Sequence, residues 1–161
     1  MISLVPVTDA IREACEALDV WPDQQDFIAS NAFSLAQADE EPQLQPLAIL
    51  HDGRPVGFAL IAPDPIDGRM WIARFMIDRN YQGQGLGSSA LEILLSQLHS
   101  RHTDIWISYH PENHAARKLY AKYGFRETGE VEDGEVLAVL STPTCQTCAL
   151  SNPDSTGNPP L

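Results

Sequence analysis

Six consecutive residues, Gln82-Gly83-Gln84-Gly85-Leu86-Gly87, have the types and spacing to hold a phosphate group. Three glycines at alternate positions let the backbone turn tightly and aim its N–H groups outward. Apolar residues then fall at Leu86, Ala90, Leu91, Leu94, Leu95 and Leu98, so a helix begins inside the loop. The first N–H groups of a helix are unpaired and lie at the positive end of its dipole. Loop, helix start and Ser88 together make a seat for an anion. The spacing is not the Gly-x-Gly-x-x-Gly of dinucleotide folds, and the Lys-Ser/Thr of a Walker loop is absent. A strand-to-helix turn without a ligand is the bland alternative.

The elements that must position this loop can be read on either side of it. Met70 to Ile77 is apolar except for Arg74 and reads as a buried strand that ends in the turn residues Asp78 to Asn80. After the helix, Asp104 to Tyr109 reads as a second short strand. A helix separates the two strands, so they must run parallel. His110-Pro111-Glu112 breaks the second strand, a helix starts at Asn113, and Gly124 ends it as a left-handed cap.

Upstream, Ile2 to Pro6 reads as an edge strand, with Thr8 or Asp9 capping a helix over Ala10 to Leu18. Gln24 to Ala38 reads as one continuous second helix. Leu47 to His51 and Val56 to Ala62 form a hairpin across Asp52-Gly53-Arg54. Downstream, Phe125 to Gly129 and Glu135 to Leu140 form a closing antiparallel pair across Glu130 to Gly134. Ser141 onward is rich in Ser, Thr, Pro and Asn and reads as a disordered tail. The expected organisation is one domain over residues 1–140 and a tail over 141–161.

Two motifs now stand in order. The first is Gln-x-x-Gly-x-Gly at Gln82 to Gly87, directly after a strand. The second is Asn113-His114-Ala115-Ala116-Arg117-Lys118-Leu119-Tyr120-Ala121-Lys122-Tyr123-Gly124-Phe125. Together they resemble the paired signatures of the GCN5-related N-acetyltransferase (GNAT) family. The resemblance implies an α/β (α+β) fold: a mixed, mostly antiparallel sheet, flanked by helices, whose parallel pair splays around acetyl-coenzyme A (acetyl-CoA). Acetyl-CoA is then the co-substrate. Its pyrophosphate would lie on Gln82, Gly83, Gln84, Gly85, Leu86, Gly87 and Ser88. Its pantetheine arm would pair with the backbone of Phe75, Met76 and Ile77, with Asn113 and Ala116 on the opposite side.

The same resemblance makes Tyr120 the general acid; taken alone, Tyr120 reads as a core aromatic beside Leu119. A phenol near ~10 can protonate a thiolate whose pKa is near ~8.5. The attacking amine must lose a proton, and the central strand offers only Arg74 where many family members carry a glutamate. Glu112 is a candidate base and equally a solvated loop residue; a water chain or Tyr120 acting twice would also serve.

Composition narrows the acceptor. The net charge of −12 argues against nucleic acid, which needs clustered Lys and Arg. No apolar run is long enough to span a membrane, and the N-terminus lacks the pattern of a signal peptide, so a cytoplasmic protein is expected. Cys15, Cys145 and Cys148 make no disulfide framework. Cys145-x-x-Cys148 alone is a weak metal site, since a structural zinc takes four ligands. His99, His102, His110 and His114 show no metal-like pairing, so no metal is expected.

Residues 1–69 carry twelve acidic side chains against three arginines. A negative wall there, with Asp39, Glu40 and Glu41 in its loop, would attract a polycation; solubility is the plain alternative. The stretches Gln25 to Ala38, Trp71 to Asp78 and Asp133 to Val136 are similar to bacterial spermine/spermidine acetyltransferases. That similarity implies a small-molecule amine, a polyamine, as acceptor. Another small amine, a protein N-terminus or a non-catalytic acyl-CoA sensing role remain as alternatives. The family often forms homodimers, which leaves that association open here.

Overall fold

The computed structural model describes residues 1–142; the expected tail and Cys145-x-x-Cys148 lie, from residue 143 onward, outside the described residues. Seven strands form one sheet: β1 (Ile2–Pro6), β2 (Gln45–His51), β3 (Arg54–Pro63), β4 (Met70–Ile77), β5 (Asp104–Tyr109), β6 (Arg126–Glu132) and β7 (Glu135–Ser141). Their spatial order is β1-β2-β3-β4-β5-β7-β6. Every neighbouring pair is antiparallel except β4 and β5, which are parallel. The helices are α1 (Asp9–Glu16), α2 (Asn31–Glu40), α3 (Leu86–His99) and α4 (His114–Lys122). No helix among the described residues is long and apolar enough to cross a membrane.

The helices cover both faces. On one, α3 buries Leu91, Leu94 and Leu95 against Ile72, Ile105 and Ile107. On the other, Cys15 of α1 and Leu35 of α2 pack on Phe58, Leu60 and Met76. Each fully buried Leu, Ile or Phe contributes roughly 1.5–3 kcal/mol of apolar transfer. These two layers fix β4, whose side chains enter both. Gly57 lets β3 and β4 close up, since a Cβ there would lie 2.5 Å from the Met76 carbonyl oxygen.

The boundaries of β4 and β5 are those expected, and α3 and α4 begin where the patterns place them. The Asp52-Gly53 turn has positive φ at both residues (49° and 81°), as a tight hairpin requires. Gly124 is left-handed, with φ of 94°.

Two expectations are corrected. The single helix over Gln24 to Ala38 is a 3₁₀ turn (Pro22–Phe27), an extended Ile28 and the separate helix α2. Ser30 causes the break: its hydroxyl accepts from the Phe33 N–H at 3.1 Å and starts α2 there. Asn31 then turns inward and donates to the Cys15 carbonyl at 2.9 Å. The closing pair is also longer than expected. β6 continues to Glu132, and its turn is only Asp133-Gly134, with φ of 50° and 81°. Gly129, with φ of 85°, lies at a register shift inside β6 rather than at its end.

Candidate active site

The parallel ladder between β4 and β5 is short. It pairs Met70 with Ile105, Trp71 with Trp106 and Ile72 with Ile107, and then stops. Past Ile72, β4 stays bonded to β3 while its β5-facing backbone has no strand partner. A register shift between Leu60 and Ile61 marks the same point and leaves Ala73 as the extra residue of β4. A cleft of about 810 Å³ opens there.

Of the residues expected to bind a cofactor, the cleft is lined by Phe75, Met76, Ile77, Gln82, Gly83, Gly85, Leu86, Gly87, Asn113, Ala116 and Tyr120. Gly83 and Gly85 both have positive φ (76° and 79°), and Gly85 immediately precedes α3. The loop therefore turns the way a nest for an anion requires. Gln84 and Ser88 are not among the lining residues. Gln84 reaches back to the Asn80 carbonyl at 3.5 Å, and the Ser88 carbonyl accepts from the Tyr123 hydroxyl at 2.9 Å. The Gln84 amide is engaged by Asn80, and the Ser88 hydroxyl accepts from Lys122 Nζ at 3.5 Å. Asn113 caps α4, its side chain accepting from the Ala116 N–H at 3.2 Å.

Tyr120 is buried, with its ring stacked on Tyr109 at 5.8 Å and Phe125 edge-on at 5.5 Å. Burial, and then the neighbouring Tyr109, push its pKa well above the usual phenol range. Tyr109 is itself tied down: its hydroxyl donates to Glu127 Oε1 at 2.8 Å, and Arg117 Nε donates to the same oxygen at 2.7 Å. The Tyr109 hydrogen bond, helped by Arg117, holds the Glu127 carboxyl below its usual range.

Three charged lining residues were not expected as site residues, although they fall in stretches that are similar to polyamine acetyltransferases. Asp26, Asp133 and Glu135 line the cleft, and Glu135 accepts from the Ser108 hydroxyl at 2.6 Å. Asp133 had a signal, the Asp-Gly turn, but nothing local said that this turn overhangs β4. Arg74 also lines the cleft. One of its terminal nitrogens donates to the Ala73 carbonyl at 2.8 Å, while its buried Nε has no partner. Among the described residues Arg74 has no ion pair.

The acidic residues expected in the acceptor wall are elsewhere. Asp39 makes a two-pronged pair with Arg12 of α1, at 2.9 and 2.7 Å, and Glu41 is held by Gln37 and Gln43. None of Asp39, Glu40 and Glu41, at the C-terminal end of α2, lines the cleft. Glu112 is exposed and does not line the cleft either; its N–H bonds His110 Nδ1 at 3.2 Å. Its place in the turn after β5 directs it to solvent.

Comparison with known proteins agrees with this geometry. The spermine/spermidine N(1)-acetyltransferase of Bacillus subtilis (strain 168) is 34% identical over 147 residues, covering 86% of this chain and 97% of the relative. A PaiA N-acetyltransferase from Thermoplasma acidophilum, solved with coenzyme A, superposes with a TM-score of 0.69 at 12% identity, over 88% of this chain and 99% of the other. An aminoglycoside acetyltransferase in complex with coenzyme A gives a TM-score of 0.73 at 18% identity, over 88% and 95%. The two solved structures share the fold, and the sequence model of the Acetyltransferase (GNAT) family matches residues 8–125, so with the 34% identical relative the chain belongs to the acetyltransferase (GNAT) family.

Proposed function

We propose that residues 1–140 form an N-acetyltransferase domain that moves the acetyl group of acetyl-CoA to a primary amine of a polyamine such as spermine or spermidine. The observation that carries this reading is the gap between β4 and β5, with the glycine loop at one end and Tyr120 in its wall. The cleft suits the coenzyme on three counts. Its volume of about 810 Å³ accommodates a ligand of that class, its loop presents backbone N–H groups, and one strand edge lies unpaired along it. Phe75, Met76 and Ile77 would pair with the amide-bearing arm, Gly83, Gly85 and Gly87 would hold the pyrophosphate, and Asn113 and Ala116 would close the opposite side. When bound, acetyl-CoA supplies an acetyl group activated as a thioester.

The chain's own residues do the rest. Backbone N–H groups of β4 polarise the acyl oxygen. Tyr120 would direct its hydroxyl hydrogen at the departing sulfur and stabilise the charge that develops there. Asp26, Asp133 and Glu135 give the acceptor side a negative lining that favours a molecule with several ammonium groups. Arg74, beside the point where β4 parts from β5, disfavours the charged form of the one amine that reaches it. An alkylamine with a pKa of about 10 thus gives its proton to water more readily at the reacting end. The polyamine choice is supported by the 34% identical Bacillus relative and by this acidic lining.

The test is coenzyme A thiol release from acetyl-CoA with spermine, spermidine, putrescine, lysine and a short peptide. Turnover with spermine and spermidine alone is expected. Turnover with the peptide alone would overturn the polyamine reading, and coenzyme binding without any turnover would overturn the enzyme's proposed acceptor class.

A further inference from the structure

The cleft has a wall that is held only in part by apolar contacts: Ile28 packs against the core around Cys15, Leu35 and Met76, and the Phe27 ring lies 5.1 Å from that of His110. Residues 21–29 line it through Gln24, Asp26, Phe27, Ile28 and Ala29, yet the 3₁₀ turn within this stretch buries none of its side chains. Its other anchors are polar, and they converge on the segment between β4 and α3. The Asp19 N–H donates to the buried Asp78 carboxylate at 3.0 Å, and the Arg79 N–H donates to the Asp19 carbonyl at 2.8 Å. The third anchor joins two side chains 58 residues apart. Gln82 Nε2 donates to Gln24 Oε1 at 2.9 Å, and Gln24 Nε2 donates back to Gln82 Oε1 at 3.3 Å. Gln82 Nε2 also donates to the Ile77 carbonyl at 2.9 Å. Gln24 Oε1 is in turn the acceptor for the Trp21 N–H at 3.3 Å, and the Gln24 N–H bonds the Trp21 carbonyl at 2.8 Å.

One amide pair therefore connects the last residue of β4, the first residue of the glycine loop and the start of the acceptor wall. Gly83 and Gly85 carry no side chain to pack the loop in place, and nothing lies within 4 Å of where their Cβ atoms would be. Whatever orders the loop orders Gln82, and through it Gln24 and the wall. We propose that Gln24 is a positioning residue that acts through Gln82, so that coenzyme on the loop fixes the acceptor wall in its binding shape. This rests on the reading of the cleft as an acetyl-CoA site. Coupling of this kind is reciprocal: an acceptor that fixes the wall must tighten coenzyme binding by the same factor.

The test uses coenzyme A alone and amide hydrogen exchange, which needs no knowledge of the acceptor. Coenzyme A is expected to slow exchange both in residues 83–88 and in residues 21–29 of the unaltered protein. In Gln24→Ala, protection of 83–88 is retained and that of 21–29 is lost. Calorimetry then compares spermidine affinity with and without coenzyme A. The ratio should fall about 5–10-fold in Gln24→Ala, within the usual range for such couplings. Gln82→Ala breaks the same pair and also its bond to the Ile77 carbonyl, so the double variant should lose no more than Gln82→Ala alone. Equal protection of 21–29 in Gln24→Ala, or additive losses in the double variant, would overturn the proposal. Failure of spermidine to bind, with the exchange pattern intact, would sink the polyamine acceptor and leave the coupling standing. Absence of protection at 83–88 would sink the coenzyme site and the coupling with it.

Discussion

Replacing Tyr120 by Phe removes one oxygen atom from the cleft and leaves a ring that fits the same space against Tyr109 and Phe125. The hydroxyl takes part in no hydrogen bond among the described residues; burial and Tyr109 alone perturb it. Its loss should therefore cost no stability. A net hydrogen bond of about 1 kcal/mol would show as a fall in Tm of about 3 °C for a chain of this size, so Tm should hold within that margin or rise. Catalysis should suffer. General acids contribute typically 10²–10⁴-fold. Here the lower end is expected, because burial makes Tyr120 a weaker acid than an ordinary phenol. Proton transfer from a reference phenol to a thiolate near 8.5 is already uphill by about 2 kcal/mol, and burial adds to this. Tyr120 thus acts chiefly by hydrogen-bonding the charge that develops on sulfur, worth about 10²-fold in kcat. The raised pKa also keeps Tyr120 protonated beyond the ordinary phenol range. The pH profile should therefore climb toward alkaline pH as the amine loses its proton, with no loss from Tyr120 below about pH 10. Steady-state thiol release from pH 6 to 10, with differential scanning calorimetry on the same samples, measures both effects. A kcat within threefold of the parent across that range would refute the assignment. A Tm drop above about 5 °C would show that the hydroxyl is a structural group instead.

Gly57→Ala should lower Tm by at least about 3 °C, as its Cβ would come within 2.5 Å of the Met76 carbonyl oxygen and overpacking costs about 1–3 kcal/mol; an unchanged melting curve would mean that β3 and β4 are not closely apposed. Asp133→Asn combined with Glu135→Gln should raise the spermidine KM at least about fivefold at low salt and leave coenzyme affinity unchanged. Asp39→Asn with Glu40→Gln should leave both quantities unchanged, because those residues lie outside the cleft, and a reversed pattern would return the acceptor wall to the end of α2. Glu127 has its folded pKa held below the unfolded value by Tyr109 and Arg117, so its contribution is full above the ordinary carboxylate range and fades as pH falls through the lowered value. Glu127→Gln should flatten the acid limb of a Tm-against-pH curve between about pH 5 and 3, and an unaltered limb would remove this carboxylate from the acid response.

The amino-acid sequence by itself determined the segments around the phosphate loop. β4, β5, α3 and α4 stand where apolar period, turn residues and glycine placement put them, and Gly85 and Gly124 adopt the left-handed backbone their positions call for. Those signals are local: a period of two or near 3.6, a cap and a turn each act within a few residues. The parallel relation of β4 and β5 followed from the helix between them, and Tyr120 came from a signature rather than from any property of an isolated helical tyrosine.

The tertiary structure decided what local signals do not carry. Ser30 and Asn31 divided an apparently continuous helical pattern, because one caps α2 and the other bonds the carbonyl of Cys15 in a different helix. β7 inserted between β5 and β6, which brought Asp133 and Glu135 over a cleft whose floor is β4. Arg12 pairs with Asp39, and of the twelve acidic residues counted over residues 1–69 only Asp26 lines the cleft. Gln24 met Gln82 across 58 residues. In each case the deciding interaction joins residues far apart in sequence. Its partner is set by sheet order and by which backbone groups burial leaves in need of a hydrogen bond, and both exist only once the whole chain has packed.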